Sequence, residues 1–141
     1  LPLLGSLGMR GLNLFSCAAL KMAVERPLPR DVRDGLLAPY DSWGHRIAVD
    51  RFVKDIPASP RHPTWQVLED LEQALPQLTD RPWLLVWGMK DWCFRPTCLE
   101  RFQAINPDAE VVQLPDAGHY VIEDAADRVI DAITSFLNRK A

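Results

Sequence analysis

Apolar residues follow two different rhythms along this chain, and the change comes near residue 80. Over residues 11–26, Leu12, Phe15, Ala19 and Met22 recur at helical spacing, and Pro27 and Pro29 end the pattern by removing N–H donors and clashing with the preceding turn. A short helical segment over residues 31–37 stops ahead of Pro39. Ser42 can cap a further helix whose Val49, Phe52, Val53 and Ile56 fall at i, i+3, i+4 and i+7, closed by Pro57. Residues 56–63 carry three prolines and no period, so they read as a connector. Thr64 can then cap a helix with Val67, Leu68, Leu71 and Leu75 on its inner face.

Beyond Pro82 the pattern becomes continuous. Trp83-Leu84-Leu85-Val86-Trp87 is apolar at every position, as a strand covered on both faces requires. Pro96 suits the first turn of a helix bearing Leu99, Phe102 and Ile105, which Asn106-Pro107 closes. A second strand is expected over residues 110–114, and then a helix capped by Asp124 with Ala126, Val129, Ile130, Ile133 and Leu137 inward. The fold class is therefore α/β: a helical part over residues 1–78, then a β-α-β-α unit of a parallel sheet over residues 79–141. Two parallel strands cannot stand alone, because their edges and faces need further strands.

Composition narrows the function. A hydrophobic content of 48% is ample for a core, and 16 basic against 19 acidic residues, mixed along the chain, give a net charge of −3. No basic stripe is present to neutralise phosphates, so nucleic acid is not an expected partner. No apolar run reaches the ~18 residues needed to span a bilayer, and residues 1–4 are too short for a signal segment. Cys17, Cys93 and Cys98 are odd in number without CxxC spacing, which fits a reducing cytoplasm better than a disulfide framework or zinc knuckle. His45 and His62 lack partners at metal-ligand spacing, and no metal or organic cofactor is expected. The first residue is leucine, which points to the later part of something longer.

The chemistry collects where strands end. Asp91 follows the first strand by four residues and His119 follows the second by five, so both fall on the carboxyl edge of the sheet. An aspartate there can accept the imidazole Nδ1–H, fix the tautomer and leave Nε2 to take a proton from water or a nucleophile. Gly118 gives the tight turn that lets the ring project. Asp116 could be mistaken for the orienting acid, but it reads as a local turn residue. Trp92 and Phe94, beside the acid, and Tyr40 and Trp43, in the helical part, are candidates to line an apolar substrate pocket.

The run Leu85-Val86-Trp87-Gly88-Met89-Lys90-Asp91, followed by Leu114-Pro115-Asp116-Ala117-Gly118-His119-Tyr120, resembles the acid and histidine motifs of α/β-hydrolases in their haloalkane-dehalogenase and epoxide-hydrolase branch. Met22-Ala23-Val24-Glu25-Arg26-Pro27 and Ala38-Pro39-Tyr40-Asp41-Ser42-Trp43 resemble the dehalogenase-like β-lactone decarboxylases of bacterial olefin synthesis. The resemblance implies the C-terminal half of such a fold, preceded by a helical cap. It also implies catalytic roles for Asp91 and His119, a small or lipid-like apolar substrate, and a nucleophile on a strand-to-helix elbow.

That nucleophile is not found in the chain. Leu4-Gly5-Ser6-Leu7-Gly8 lacks the first glycine of G-x-S-x-G and a strand ahead of it, and nothing local argues for a lowered Cys93 pKa. The fragment alone is therefore expected to be inactive, and to associate through open sheet edges or with the N-terminal half that carries the nucleophile. The contrasting expectation is a non-catalytic truncated or half-domain fragment that needs a partner chain. A strand with G-x-[DS]-x-G upstream of Leu1 would separate the two.

Overall fold

Asn13 adopts a left-handed backbone conformation (φ 51°) and breaks the first helical stretch in two. In the computed structural model, which describes residues 5–140, a π-helical turn, Leu7–Gly11, precedes Asn13, and helix α1, Leu14–Met22, follows it. The run of residues 1–4 weighed above lies outside the described residues. The chain divides into two units, the first of residues up to Met22 with Leu28–Glu72, the second of Ala23–Pro27 with Gln73 onward.

The first unit is helical. Besides α1 it holds α2, Arg30–Leu37, a 3-10 turn at Ala38–Tyr40, α3, Ile47–Asp55, and most of α4, Trp65–Ala74. Ile56 is extended (φ −66°, ψ 118°) where α3 stops, as a residue ahead of proline must be. Ser42 caps a turn and not the helix: its Oγ accepts the His45 N–H at 3.2 Å, and α3 starts only at Ile47. Arg46 ties the irregular segments together, donating from Nε to the Tyr40 carbonyl at 2.7 Å and from Nη1 to the Arg10 carbonyl at 2.8 Å. Such a fork of fixed donors satisfies carbonyls that no helix uses.

In the second unit, β1, Leu84–Gly88, pairs in parallel with β2, Glu110–Leu114, in a register that sets Leu84 beside Glu110 and Gly88 beside Leu114. Helix α5, Pro96–Ile105, joins the strands, with Pro96 in its first turn and Leu99 buried. Helix α6, Val121–Lys140, follows β2 and is interrupted at Ala125 (φ −148°, ψ 45°). Leu114, Ala117 and Val129 form the buried core, with Val86, Val112, Val121 and Ala125 packed against them. The segment Ala23–Pro27, which periodicity alone assigns to the end of the first helix, is instead a strap of this unit: the Ala23 carbonyl accepts the Tyr120 N–H at 2.7 Å.

Candidate active site

Asp91 and His119 meet because the loops that carry them are bonded to each other immediately beyond the strands. Met89 N–H donates to the Leu114 carbonyl and Lys90 N–H to the Ala117 carbonyl, each at 3.0 Å. The loops cross at Gly88, where an added Cβ would lie 2.3 Å from the Gly118 carbonyl oxygen, so only glycine fits. Asp91 then turns back, its N–H donating to the Gly88 carbonyl at 3.1 Å.

The two oxygens of Asp91 do different work. Oδ1 accepts the N–H groups of Cys93 and Phe94, both at 2.8 Å, and Oδ2 accepts from His119 Nδ1 at 2.9 Å. The residue is buried, 8% exposed, and these three donors replace the water it has lost. A carboxylate oxygen only accepts, so Nδ1 carries the shared proton and Nε2 of a neutral ring holds the free lone pair. The imidazole lies within a ring of aromatics: Phe94 at 5.2 Å between centroids, Tyr120 stacked at 5.9 Å and Trp92 at 6.5 Å. Trp92 and Phe94 are more than half exposed, so they offer apolar surface next to the histidine.

The remaining candidates have other surroundings. Tyr40 and Trp43 lie in the first unit, where Arg10 stacks over the Trp43 ring at 4.4 Å. Asp116 is bridged by Arg128 at 2.7 Å and Arg26 at 3.2 Å, so its partners lie well beyond its own turn. The Arg128 hydrogen bond is the main cause holding its carboxyl below the ordinary range. Partial desolvation of its sulfur, then the Asp91 charge and Cys98, push the thiol of the exposed Cys93 up, which disfavours a thiolate nucleophile. Ser6 has helical backbone angles (φ −63°, ψ −35°), not those of a strained elbow, and its hydroxyl accepts from Lys54 Nζ at 2.6 Å. His45 faces Asp41 at 2.6 Å, and His62 bonds Thr64 and the Lys54 carbonyl. Among the described residues no cluster of His, Cys, Asp or Glu could hold a metal ion, and no helix is long and apolar enough to cross a membrane.

Sequence reasoning missed two groups here, Tyr120 and the paired N–H groups of Cys93 and Phe94, and it took Asp124 for a helix cap, whereas its carboxylate accepts from Gly118, Glu25 and Arg26. The second had a local signal, since an aspartate in a loop commonly accepts from N–H groups two and three residues on. The bonds from Glu25 and Arg26 to Asp124 had none, because those residues lie 99 and 98 positions away.

A family model described as alpha/beta hydrolase fold matches residues 37–126. Over 136 residues, 96% of this chain and 45% of the relative, the chain is 43% identical to the cis-3-alkyl-4-alkyloxetan-2-one decarboxylase of Xanthomonas campestris pv. campestris. It is 51% identical over 121 residues to haloalkane dehalogenase 2 of Mycobacterium bovis, covering 78% of this chain and 40% of that one. The crystal structure of a loop variant of a haloalkane dehalogenase from Bradyrhizobium elkanii superposes on 98% of this chain and 46% of its own, with a TM-score of 0.87 at 22% identity. The chain thus spans less than half the length of these relatives.

Proposed function

This chain belongs to the alpha/beta hydrolase fold family, in its dehalogenase-like branch, and we propose that Asp91 and His119 serve as the acid and base of a nucleophile–histidine–acid triad. The observation that carries the reading is the 2.9 Å bond from His119 Nδ1 to Asp91 Oδ2, with Oδ1 held by two backbone donors. A carboxylate locked in this way fixes the ring, sets its tautomer and stabilises the imidazolium that forms when Nε2 takes a proton. In this reading the nucleophile lies outside these 141 residues, which the helical backbone of Ser6 and the raised Cys93 thiol support.

The substrate in this reading is small or lipid-like and apolar, with Trp92 and Phe94 against it. Two chemistries are compatible with the pair. In a dehalogenase, a carboxylate nucleophile displaces halide from carbon, and His119 deprotonates the water that cleaves the resulting ester. With a β-lactone, the ring opens and loses carbon dioxide, leaving an alkene. The β-lactone is favoured because the match to the decarboxylase of Xanthomonas campestris extends over 96% of this chain, against 78% for the dehalogenase of Mycobacterium bovis. A second reading, a half-domain without turnover of its own, is supported by a two-stranded sheet that leaves one edge of each strand unpaired.

The test uses the intact protein that carries this chain, offered a dialkyl β-lactone and a 1-haloalkane. Alkene and carbon dioxide are expected from the first. Asp91→Asn should lower kcat by up to ~10⁴-fold through loss of tautomer control. His119→Gln should abolish turnover and, if halide is the leaving group, let an alkyl-enzyme ester accumulate, visible by mass spectrometry. Rapid turnover by His119→Gln would remove the histidine from the assigned role.

A further inference from the structure

We propose that Asp124, acting with the Ala23–Pro27 strap, is the positioning group that holds His119 at its working angle; this rests on the triad reading above. The Asp124 carboxylate is buried and spans two segments distant in sequence. Its Oδ2 accepts the Gly118 N–H at 2.8 Å, while its Oδ1 accepts the N–H groups of Glu25 at 2.9 Å and Arg26 at 3.3 Å. The break at Ala125 marks where the backbone leaves helical geometry beside this carboxylate. An aspartate whose role was to begin α6 would need only the N–H groups just ahead of it.

The consequence falls on the histidine. His119 lies between two anchored peptides: the Gly118 N–H is held by Asp124, and the Tyr120 N–H is held at 2.7 Å by the carbonyl of Ala23, in the same strap that Asp124 fastens. Two fixed peptide planes leave His119 little backbone freedom, and its Nδ1 bond to Asp91 gives a third point of attachment. The strap also reaches the acid loop, where Glu25 pairs with Lys90 at 3.0 Å, next to Asp91. One buried carboxylate thereby links the histidine loop to a segment that contacts both catalytic loops. Packing is tight there: a Cβ at Gly118 would lie 3.2 Å from the Ala23 carbonyl oxygen and 3.4 Å from Asp124 Oδ2.

Asp124→Asn in the intact protein tests this, because the amide keeps the shape but turns N–H toward N–H on one side of the clasp. The main readout is the Nδ1 proton of His119 in histidine-selective ¹⁵N NMR, assigned by its loss in Asp91→Asn. The expected result is a shifted or broadened Nδ1–H signal, with kcat down by ~10–100-fold and KM within about twofold, as for a displaced catalytic group. An unchanged signal and kcat with only a lower melting temperature would overturn the proposal, leaving Asp124 a stabilising residue. If Asp124→Asn does not fold, Asp124→Ser, which keeps one acceptor oxygen but cannot reach both the Gly118 N–H and the N–H groups of Glu25 and Arg26, carries the test: its Nδ1–H signal must move, and an unmoved signal counts against the clasp. Full turnover by His119→Gln would instead refute the triad reading, with the clasp then judged on the NMR signal alone.

Discussion

Gly88 lies where the acid loop and the histidine loop touch, and the atoms that a side chain would meet there are backbone. The carbonyl oxygens of Gly118 and Ala117 lie 2.3 and 2.7 Å from the place a Cβ would take. Neither can rotate away as a flexible side chain could, so the loops themselves must part. Gly88→Ala is therefore expected to cost ~1–3 kcal/mol or more in urea unfolding, the range of an overpacked interior. It should also weaken the Asp91–His119 bond, because the Lys90 to Ala117 hydrogen bond that sets the loop spacing is stretched first. Wild-type stability in this variant would mean that the crossing is looser than its geometry indicates. Asp91 makes a related point at the level of one side chain. Oδ1 is spent on orientation, so Oδ2 alone serves the histidine.

Between elements, the ion pairs of Asp116 join the loop after β2 to α6 through Arg128 and to the strap through Arg26. The Arg128 hydrogen bond first, then a backbone hydrogen bond and, after these, the Arg128 and Arg26 charges depress the Asp116 pKa in the folded chain. A depressed folded pKa contributes stability in full above the unfolded value, about pH 4, and that contribution is lost as pH falls through the folded value. The stability difference between wild type and Asp116→Asn should thus be small but present at neutral pH, shrink below about pH 4, and shrink with added salt. A difference independent of pH, followed by urea midpoints, would exclude this linkage. The elements were legible from sequence where local order decides them. The apolar run at 83–87 and the proline at 96 specify strand and helix without outside help, and Asp91 and His119 stand out because each follows a strand end. The strap was not legible, since Ala23 to Arg26 continue the preceding helical stretch and the bonds that pull them away come from residues 120 and 124.

At the scale of the whole chain, the surface left uncovered is the informative quantity. Among the described residues the sheet has two strands, each paired on one side only, and α6 exposes Ile122, Ile130, Ile133 and Leu137, all more than two-fifths accessible. Helix α4 exposes Val67, Leu68 and Leu71 in the same manner. Unpaired edges and apolar stripes of this kind recruit other strands and helices. The isolated 141-residue chain should therefore sediment as concentration-dependent oligomers, bind an apolar dye such as ANS, and fail to hydrolyse a p-nitrophenyl ester. Ile130→Lys with Leu137→Lys should reduce the association, because both residues are 58% exposed and the new charges displace no buried group. The Asp91–His119 bond should survive in that variant, since its supports lie in the strand-end loops and the strap and not on this stretch of α6. A monodisperse monomer with sharp cooperative unfolding would show that the exposed surface needs no partner. His119-dependent turnover by the isolated chain would go further, and place the nucleophile within these residues after all.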